Sequence, residues 1–334
     1  MFIKVASSVI KSRMKKKFPI EVVYRVTAKC NLKCDYCFFP MKMPEMPTEQ
    51  AKSAIREFAD AGTLIWIFTG GEPLLRQDIG ELINYAKDCG IVFTKLLTNG
   101  IAFQRRMNEL KRIDQLNFSL DGPKEVHEKV RGKGTFDIVM KSIELAKQEN
   151  FDFTITTVIS SENMKNNFAG LHFMKDLALK YDCKINFQPI FKYSFPAKNP
   201  DILLVDNENL IQALDLVQQF NKQYHNILFS NETHEIWKKA INGEEVATEC
   251  QAGRYYCYLS PDGNVTSSLL TMNEGQNGSE IGFLNAFNNL NHIHNYHCQS
   301  ALCLPEKNAL YSLKFGQILR RLPRIFHATF DFNY

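Results

Sequence analysis

Three of the nine cysteines in this 334-residue chain, Cys30, Cys34 and Cys37, lie in the short run Cys-Asn-Leu-Lys-Cys-Asp-Tyr-Cys. Three thiolates in one loop can ligate three irons of a [4Fe-4S] cluster and leave the fourth iron open, whereas ferredoxins use four cysteines at other spacings. Zinc also accepts thiolates, but a structural zinc site has four ligands, usually in paired Cys-x-x-Cys units. The spacing therefore indicates an iron–sulfur site with an open iron, with structural zinc as the alternative.

Small polar motifs follow three apolar runs of the chain. They are Gly70-Gly71-Glu72-Pro73, Thr98-Asn99-Gly100 and Ser119-Leu120-Asp121-Gly122. The glycines let the backbone approach a ligand closely, and the Glu72 carboxylate can pair with an ammonium group. Turn and helix-cap roles are the alternatives for Asn99 and Asp121.

Between about residues 20 and 190, short apolar runs alternate with longer amphipathic segments, which is typical of βα units around a parallel sheet. The predicted strands are 20–26, 64–69, 91–97, 116–120, 153–159 and 185–188, and the predicted helices include 48–61, with Thr48 as its cap, 78–88, 136–148 and 164–181. Six such units make an α/β fold with a partial (β/α)6 TIM-like barrel. The cysteine run follows the first strand, at the rim where such barrels carry their active sites.

The cysteine run, with Tyr36 before its last cysteine, resembles the cluster loop of the radical S-adenosylmethionine (SAM) superfamily, and Gly70-Gly71-Glu72 resembles its Gly-Gly-Glu motif. The resemblance implies a [4Fe-4S] cluster on the three cysteines, and Glu72 paired with the SAM amino group. It also implies SAM contacts from Arg131, which could equally be a solvated loop arginine. The complete set of implied cofactor-binding residues is Tyr36, Gly70, Gly71, Glu72, Thr98, Asn99, Ser119, Asp121 and Arg131.

The resemblance also implies a reaction. One electron from the reduced cluster, delivered by a reductant such as flavodoxin or ferredoxin, would cleave SAM, and the 5′-deoxyadenosyl radical would abstract a substrate hydrogen atom. The cofactor carries the hard chemistry, and the protein positions the reactants and excludes water. The expected function is an enzyme, an oxidoreductase or maturase, that modifies a peptide, small molecule or lipid precursor. The alternative is a non-enzymatic iron–sulfur or zinc protein for electron transfer or scaffolding.

Four more cysteines, Cys250, Cys257, Cys298 and Cys303, lie in the C-terminal part, around a predicted hairpin that turns at Pro261-Asp262-Gly263. The run from Cys250 resembles the SPASM extension, which in its full form binds two auxiliary clusters. This sequence has only four tail cysteines, and Ser267-Ser268 stands where the full pattern has a cysteine. A shortened, twitch-like extension with one auxiliary [4Fe-4S] cluster is expected, which favours an oxidation; zinc and uncoordinated thiols are the alternatives.

These patterns divide the chain into five parts. They are a basic amphipathic N-terminal segment (1–19), the partial barrel (20–190), a helical linker (191–249), a small α+β cysteine-containing extension (250–305) and a C-terminal helix and tail (306–334).

The bulk composition limits the partners. A net charge of +4 gives no electrostatic reason to expect nucleic acid. No apolar run or secretory signal suggests export or a spanning helix, so a cytoplasmic protein is expected, and in that compartment clustered cysteines indicate metal or catalysis. The basic N-terminal segment is compatible with peripheral contact to an anionic membrane or an acidic substrate, or with a terminal helix packed on the barrel.

Overall fold

A computed structural model describes residues 18–37, 39, 42–189, 205–244, 250–268 and 275–290. The N-terminal basic residues 1–17, Cys298, Cys303 and the C-terminal tail (306–334), about which the sequence makes predictions, lie outside the described residues.

The fold is built on one nine-stranded sheet with the order β6-β5-β4-β3-β2-β1-β7-β8-β9. Strands β1 to β6 are parallel neighbours in sequence order, which confirms the predicted α/β fold with a partial barrel. The strands are β1 Glu21–Arg25, β2 Ile65–Thr69, β3 Phe93–Thr98, β4 Gln115–Ser119, β5 Phe153–Ile159, β6 Lys184–Pro189, β7 Tyr256–Leu259, β8 Asn264–Thr266 and β9 Gln276–Asn277.

Helices cover one face of the parallel strands. They are α1 Thr48–Ala61, α2 Ile79–Asp88, α3 Phe103–Arg106, α4 Lys124–Arg131, α5 Thr135–Gln148, α6 Ser161–Tyr181, α7 Asn207–Tyr224, α8 Asn231–Ile241, α9 Gly278–Ile281 and α10 Phe283–Asn288. Short 3-10 turns occupy Pro73–Leu75 and Met107–Leu110, and α6 contains non-helical backbone at residues 165–168. In the described part of the chain, no helix is long and apolar enough to cross a membrane.

The apolar spacing of the sequence explains how helices and strands meet. In α1, Ala51, Ile55 and Phe58 are buried on one face, at the spacing of a helical turn. They pack with alternate strand residues such as Tyr24 and Trp66 in the larger core cluster. The predicted Thr48 cap is wrong: the helix begins at Thr48, and the residue before it is a proline, so no side chain caps the first turn.

The C-terminal hairpin belongs to the barrel sheet. Strands β7 and β8 are antiparallel, as the turn residues predict, and β7 also pairs in parallel with β1, with Glu21 opposite Tyr256 and Val22 opposite Cys257. The hairpin was predicted to belong to a separate C-terminal extension (250–305). Since its strands continue the sheet beside β1, the hairpin lies next to the loop that follows the first strand.

Candidate active site

The cysteine loop leaves β1 at the carboxyl end of the sheet. Cys34 is buried, Cys30 and Cys37 are half-buried, and all three are free thiols. The Leu32 N–H donates to Cys30 Sγ (3.4 Å), and Asn99 Nδ2 lies 3.9 Å from the same sulfur. Hydrogen bonds to sulfur are a feature of iron–sulfur ligands, and three thiols in one loop suit a cluster with an open iron. The donor set therefore fits the [4Fe-4S] group that the sequence implies.

Burial favours the protonated thiol at two of the three loop cysteines, Cys34 and Cys30. Burial raises the pKa of Cys34 to about 11 and also raises that of Cys30. A bound cation reverses this preference, because metal ligation removes the thiol proton. Within the described residues no three His, Cys, Asp or Glu side chains already converge as a metal site.

The Gly70-Gly71 pair packs directly on the cysteine loop. A Cβ atom on Gly71 would lie 2.3 Å from the Lys29 carbonyl oxygen, and one on Gly70 would lie 2.7 Å from that of Thr27. The Gly71 and Glu72 N–H groups donate to the Thr27 and Lys29 carbonyls, both at 2.8 Å. The two glycines were predicted to let the backbone approach a ligand; in the structure they allow the turn after β2 to touch the start of the cysteine loop.

The Glu72 carboxylate joins the ends of β2 and β3. It is fully buried and accepts from the Leu74 N–H (3.0 Å), Thr98 Oγ1 (2.8 Å) and the Asn99 N–H (2.7 Å). Burial raises its pKa, and the three donors act against that rise. Pairing of this carboxylate with the SAM amino group stays a prediction.

Asn99 connects the end of β3 to the cysteine loop. Its Oδ1 accepts from the Ile101 N–H (3.0 Å), as in the predicted turn role, while its Nδ2 donates to Asn31 Oδ1 (2.8 Å). The side chain therefore serves the turn and also contacts the segment between Cys30 and Cys34.

Buried Asp121 and Arg131 form one group with half-buried Tyr36 of the cysteine loop. Arg131 Nε donates to Asp121 Oδ2 (2.6 Å), Tyr36 Oη donates to the same oxygen (3.0 Å), and the guanidinium lies 5.4 Å from the Tyr36 ring centre. The Val158 N–H donates to the other carboxylate oxygen of Asp121 (3.0 Å). Burial opposes ionisation of Asp121, but the Arg131 charge prevails and holds its pKa below the usual range.

This grouping shows a role that sequence reasoning missed. Asp121 and Arg131 were predicted as SAM contacts, whereas here they bind each other and hold Tyr36; Ser119, at the end of β4, is half-buried and outside this group. His127, also missed, accepts the Asp121 N–H at Nδ1 (3.2 Å), and burial lowers its pKa to about 4. Its position four residues before Arg131, on the same helix face, was the available signal.

The two described tail cysteines lie in different core clusters. Cys257 has no exposed surface and packs with Val22 in the larger core, on the helix-covered face of the sheet. Cys250 is buried in a second cluster with Tyr256, the residue that points to the opposite face from Cys257. A ligand set that includes both Cys250 and Cys257 does not fit this packing.

Comparison with known proteins agrees with this geometry. Residues 24–167 match the Radical SAM superfamily. The chain is 29% identical to the Fe-coproporphyrin III synthase of Methanosarcina barkeri over 80% of this chain and 66% of that protein. It is 35% identical to the AdoMet-dependent heme synthase of Oleidesulfovibrio alaskensis over 43% of this chain and 39% of that protein. It thus spans less than two thirds of both relatives.

Solved structures show the same fold. Streptococcus suis SuiB bound to S-adenosylmethionine matches with a TM-score of 0.64 and 20% identity, over 80% of this chain and 65% of that one. SuiB bound to its precursor peptide SuiA matches with a TM-score of 0.64 and 18% identity, over 85% and 68%. The family implies a [4Fe-4S] cluster and S-adenosylmethionine, and the sequence relatives are named as enzymes. The match to the Radical SAM superfamily covers residues 24–167, so this part of the chain is a domain of the radical SAM type.

Proposed function

We propose that this protein reductively cleaves SAM at a [4Fe-4S] cluster held by Cys30, Cys34 and Cys37, and modifies an organic substrate. The observation that carries the proposal is the position of the three thiols in one loop, at the carboxyl end of the sheet and in contact with the Gly70–Glu72 turn. When bound, the cluster with SAM supplies one electron for cleavage into methionine and a 5′-deoxyadenosyl radical, which abstracts a hydrogen atom from the substrate.

The residues of the chain hold this chemistry in place. Glu72 and Asn99 fix the ends of two strands against the cysteine loop. Asp121 and Arg131 hold Tyr36, so the aromatic ring is placed with little freedom beside Cys37. Contacts to SAM from these residues and from Gly70, Gly71, Thr98 and Ser119 are part of the proposal. Ordered donors and acceptors of this kind reduce the reorganisation that a bound reactant requires.

The inner face of the sheet offers polar groups to a substrate. Asn117 Nδ2 donates to Thr154 Oγ1 (2.7 Å), and Asn186 occupies the next strand, β6. The buried oxygen Asn186 Oδ1 has no hydrogen-bond partner among the described residues. An unpaired buried acceptor is costly, so this oxygen favours a substrate or water that carries an N–H or O–H donor.

The substrate class follows from the relatives only as a proposal. The two sequence relatives are named as synthases of Fe-coproporphyrin III and of heme, which are iron porphyrins. We therefore propose a porphyrin-type small molecule as the first candidate. SuiB, bound to a precursor peptide, supports a peptide as the second, on the fold alone.

The C-terminal part is proposed to bind one auxiliary metal group through Cys250, Cys298 and Cys303. Cys257 is left out of the proposed ligands because it packs in the larger apolar core, apart from the cluster that contains Cys250. Zinc remains the alternative to an iron–sulfur cluster, and no reaction step is assigned to this group. A flavodoxin or ferredoxin is proposed as the reductant, and membrane contact by the N-terminal segment remains part of the proposal.

The test is formation of 5′-deoxyadenosine by anaerobically reconstituted, reduced protein supplied with SAM, measured by mass spectrometry. The wild-type protein and a Cys89→Ala control, altered at a half-buried thiol on α2's end, should form it; Cys34→Ala should not. No product from fully loaded wild-type protein refutes the proposal. A higher yield with iron porphyrins than with peptides supports the first substrate class, and the reverse supports the second.

A further inference from the structure

The C-terminal arm of the cysteine loop ends at Met46, which three separate elements hold. The Met46 N–H donates to the Pro261 carbonyl in the hairpin turn (2.7 Å), and its own carbonyl accepts from Arg76 Nη2 (3.0 Å). Its side chain is 3% exposed, with Sδ 3.7 Å from Ser279 Oγ. All the polar atoms of this residue are therefore engaged.

Arg76 links this point to the first strand. The guanidinium is 4% exposed and donates from Nη1 to the Val26 carbonyl (2.9 Å) and to Tyr24 Oη (3.1 Å). Arg76 also donates to the carboxylate of Asp78, from Nε (2.7 Å) and from Nη2 (3.0 Å). Val26 precedes the cysteine loop and Met46 ends it. Because Arg76 binds both of their carbonyl groups, it fixes the distance between the two ends of the loop.

The hairpin turn supports Met46 from the other side, and its own shape is fixed by the segment that follows. Asn277 Nδ2 donates to the Asp262 carbonyl (3.0 Å), and the Gly278 N–H donates to that of Gly263 (2.8 Å). Gly263 has φ +89°, and a Cβ there would lie 2.8 Å from Ser279 Oγ and 3.1 Å from Met46 Sδ. A side chain at Gly263 would therefore push the side chains of Ser279 and Met46 out of their positions.

We infer that the hairpin turn at residues 260–263 is a positioning element for the cysteine loop: with Arg76 it fixes Met46, where the loop ends, and thereby limits how closely Cys37 can approach Cys30 and Cys34. A C-terminal segment far away in sequence is then part of the cluster site without supplying a ligand. The inference rests on the proposed function only in assigning a cluster to the three thiols. The loop's position itself is testable in metal-free protein.

The experiment compares Gly263→Ala with Gly243→Ala. Both glycines have positive φ, but a Cβ on Gly243 meets nothing within 4 Å, so this control carries the backbone strain without the contact. Alkylation of each cysteine in metal-free protein is followed by peptide mass spectrometry. We expect the rate at Cys37 to rise about fivefold in Gly263→Ala, because local opening exposes it, and to stay unchanged in Gly243→Ala. In loaded protein, a chelator should remove iron faster from Gly263→Ala.

Buried Cys183 and Cys257 report global unfolding in the same digest. If their rates rise with that of Cys37, Gly263→Ala has unfolded, and Asn277→Ala, which removes the Asp262 contact without adding atoms, decides the question. An unchanged Cys37 rate in the folded variant overturns the inference. A wild-type protein that forms no 5′-deoxyadenosine refutes the proposed function and leaves the alkylation result unaffected.

Discussion

The loop cysteines and the tail cysteines sit in opposite kinds of surroundings. Cys30 and Cys37 are half-buried at the carboxyl end of the sheet, in a loop held by backbone and side-chain hydrogen bonds. Cys250 and Cys257 lie in two apolar clusters on opposite faces of the sheet. Close spacing in one loop guarantees proximity, whereas cysteines on and beside a strand are separated by the alternation of its side chains. The spacing of cysteines in the sequence thus predicts which thiols lie together in the loop, but not in the C-terminal part.

The largest expected effect separates the two groups directly. Cys34→Ala should reduce 5′-deoxyadenosine formation more than about a thousandfold, since the cofactor carries the chemistry. Cys257→Ala should keep formation within about twofold and lose about 1 kcal/mol of stability through a small cavity. Loss of iron from Cys257→Ala, measured per chain, would contradict the assignment of this residue to the core.

A second substitution tests the buried ion pair beside the cysteine loop. Asp121→Ala leaves the buried Arg131 charge unpaired, so urea unfolding of the metal-free protein should show a loss of about 3–5 kcal/mol. The matched control is Glu149→Ala, which breaks an exposed pair with Lys111 and should cost less than about 1 kcal/mol. Equal losses in both variants would show that the buried group does not fix the loop.

On the C-terminal side of the comparison, the free energy of unfolding should depend on pH through His234. Burial lowers the pKa of His234 in α8 from 6.5 to about 4, so the folded state favours the neutral ring. Below pH 6.5 His234 binds a proton in the unfolded chain but not in the folded chain. Its contribution to the free energy of unfolding therefore falls by about 3 kcal/mol between pH 6.5 and 4. His234→Gln should reduce the fall in urea unfolding curves by about this amount, while buried His127, whose pKa is also about 4, keeps its own contribution. The exposed-site variant His225→Asn should leave the fall unchanged.

The smallest expected effect concerns the Tyr36 hydroxyl. Tyr36→Phe keeps the ring beside Arg131 but loses the hydrogen bond to Asp121, and should cost about 1 kcal/mol in urea unfolding. Tyr85→Phe, at a more exposed hydroxyl that contacts Arg56 at 3.4 Å, is the control and should change stability less. If the two variants are equal, the hydroxyl does not help to hold the loop tip.

Local patterns predicted the barrel well because each βα unit is specified by neighbouring residues. The run 153–159 coincides with β5, and the run 48–61 with α1. Pairing of Asp121 with Arg131 depends on how a helix packs after its strand, and contact between Gly71 and Lys29 depends on two loops that meet in space. Neither contact follows from the spacing of residues in the sequence. The sequence therefore did not predict that Asp121 and Arg131 bind each other.

The parallel pairing of Glu21 with Tyr256 has a consequence for synthesis of the chain. Until the ribosome has released the C-terminal hairpin, β1 has one edge without a neighbour, although the other five parallel strands are already made. Contacts so distant in sequence form slowly, and an open, apolar strand edge invites pairing with another chain. A product truncated after β6 should therefore aggregate rather than accumulate as a working barrel.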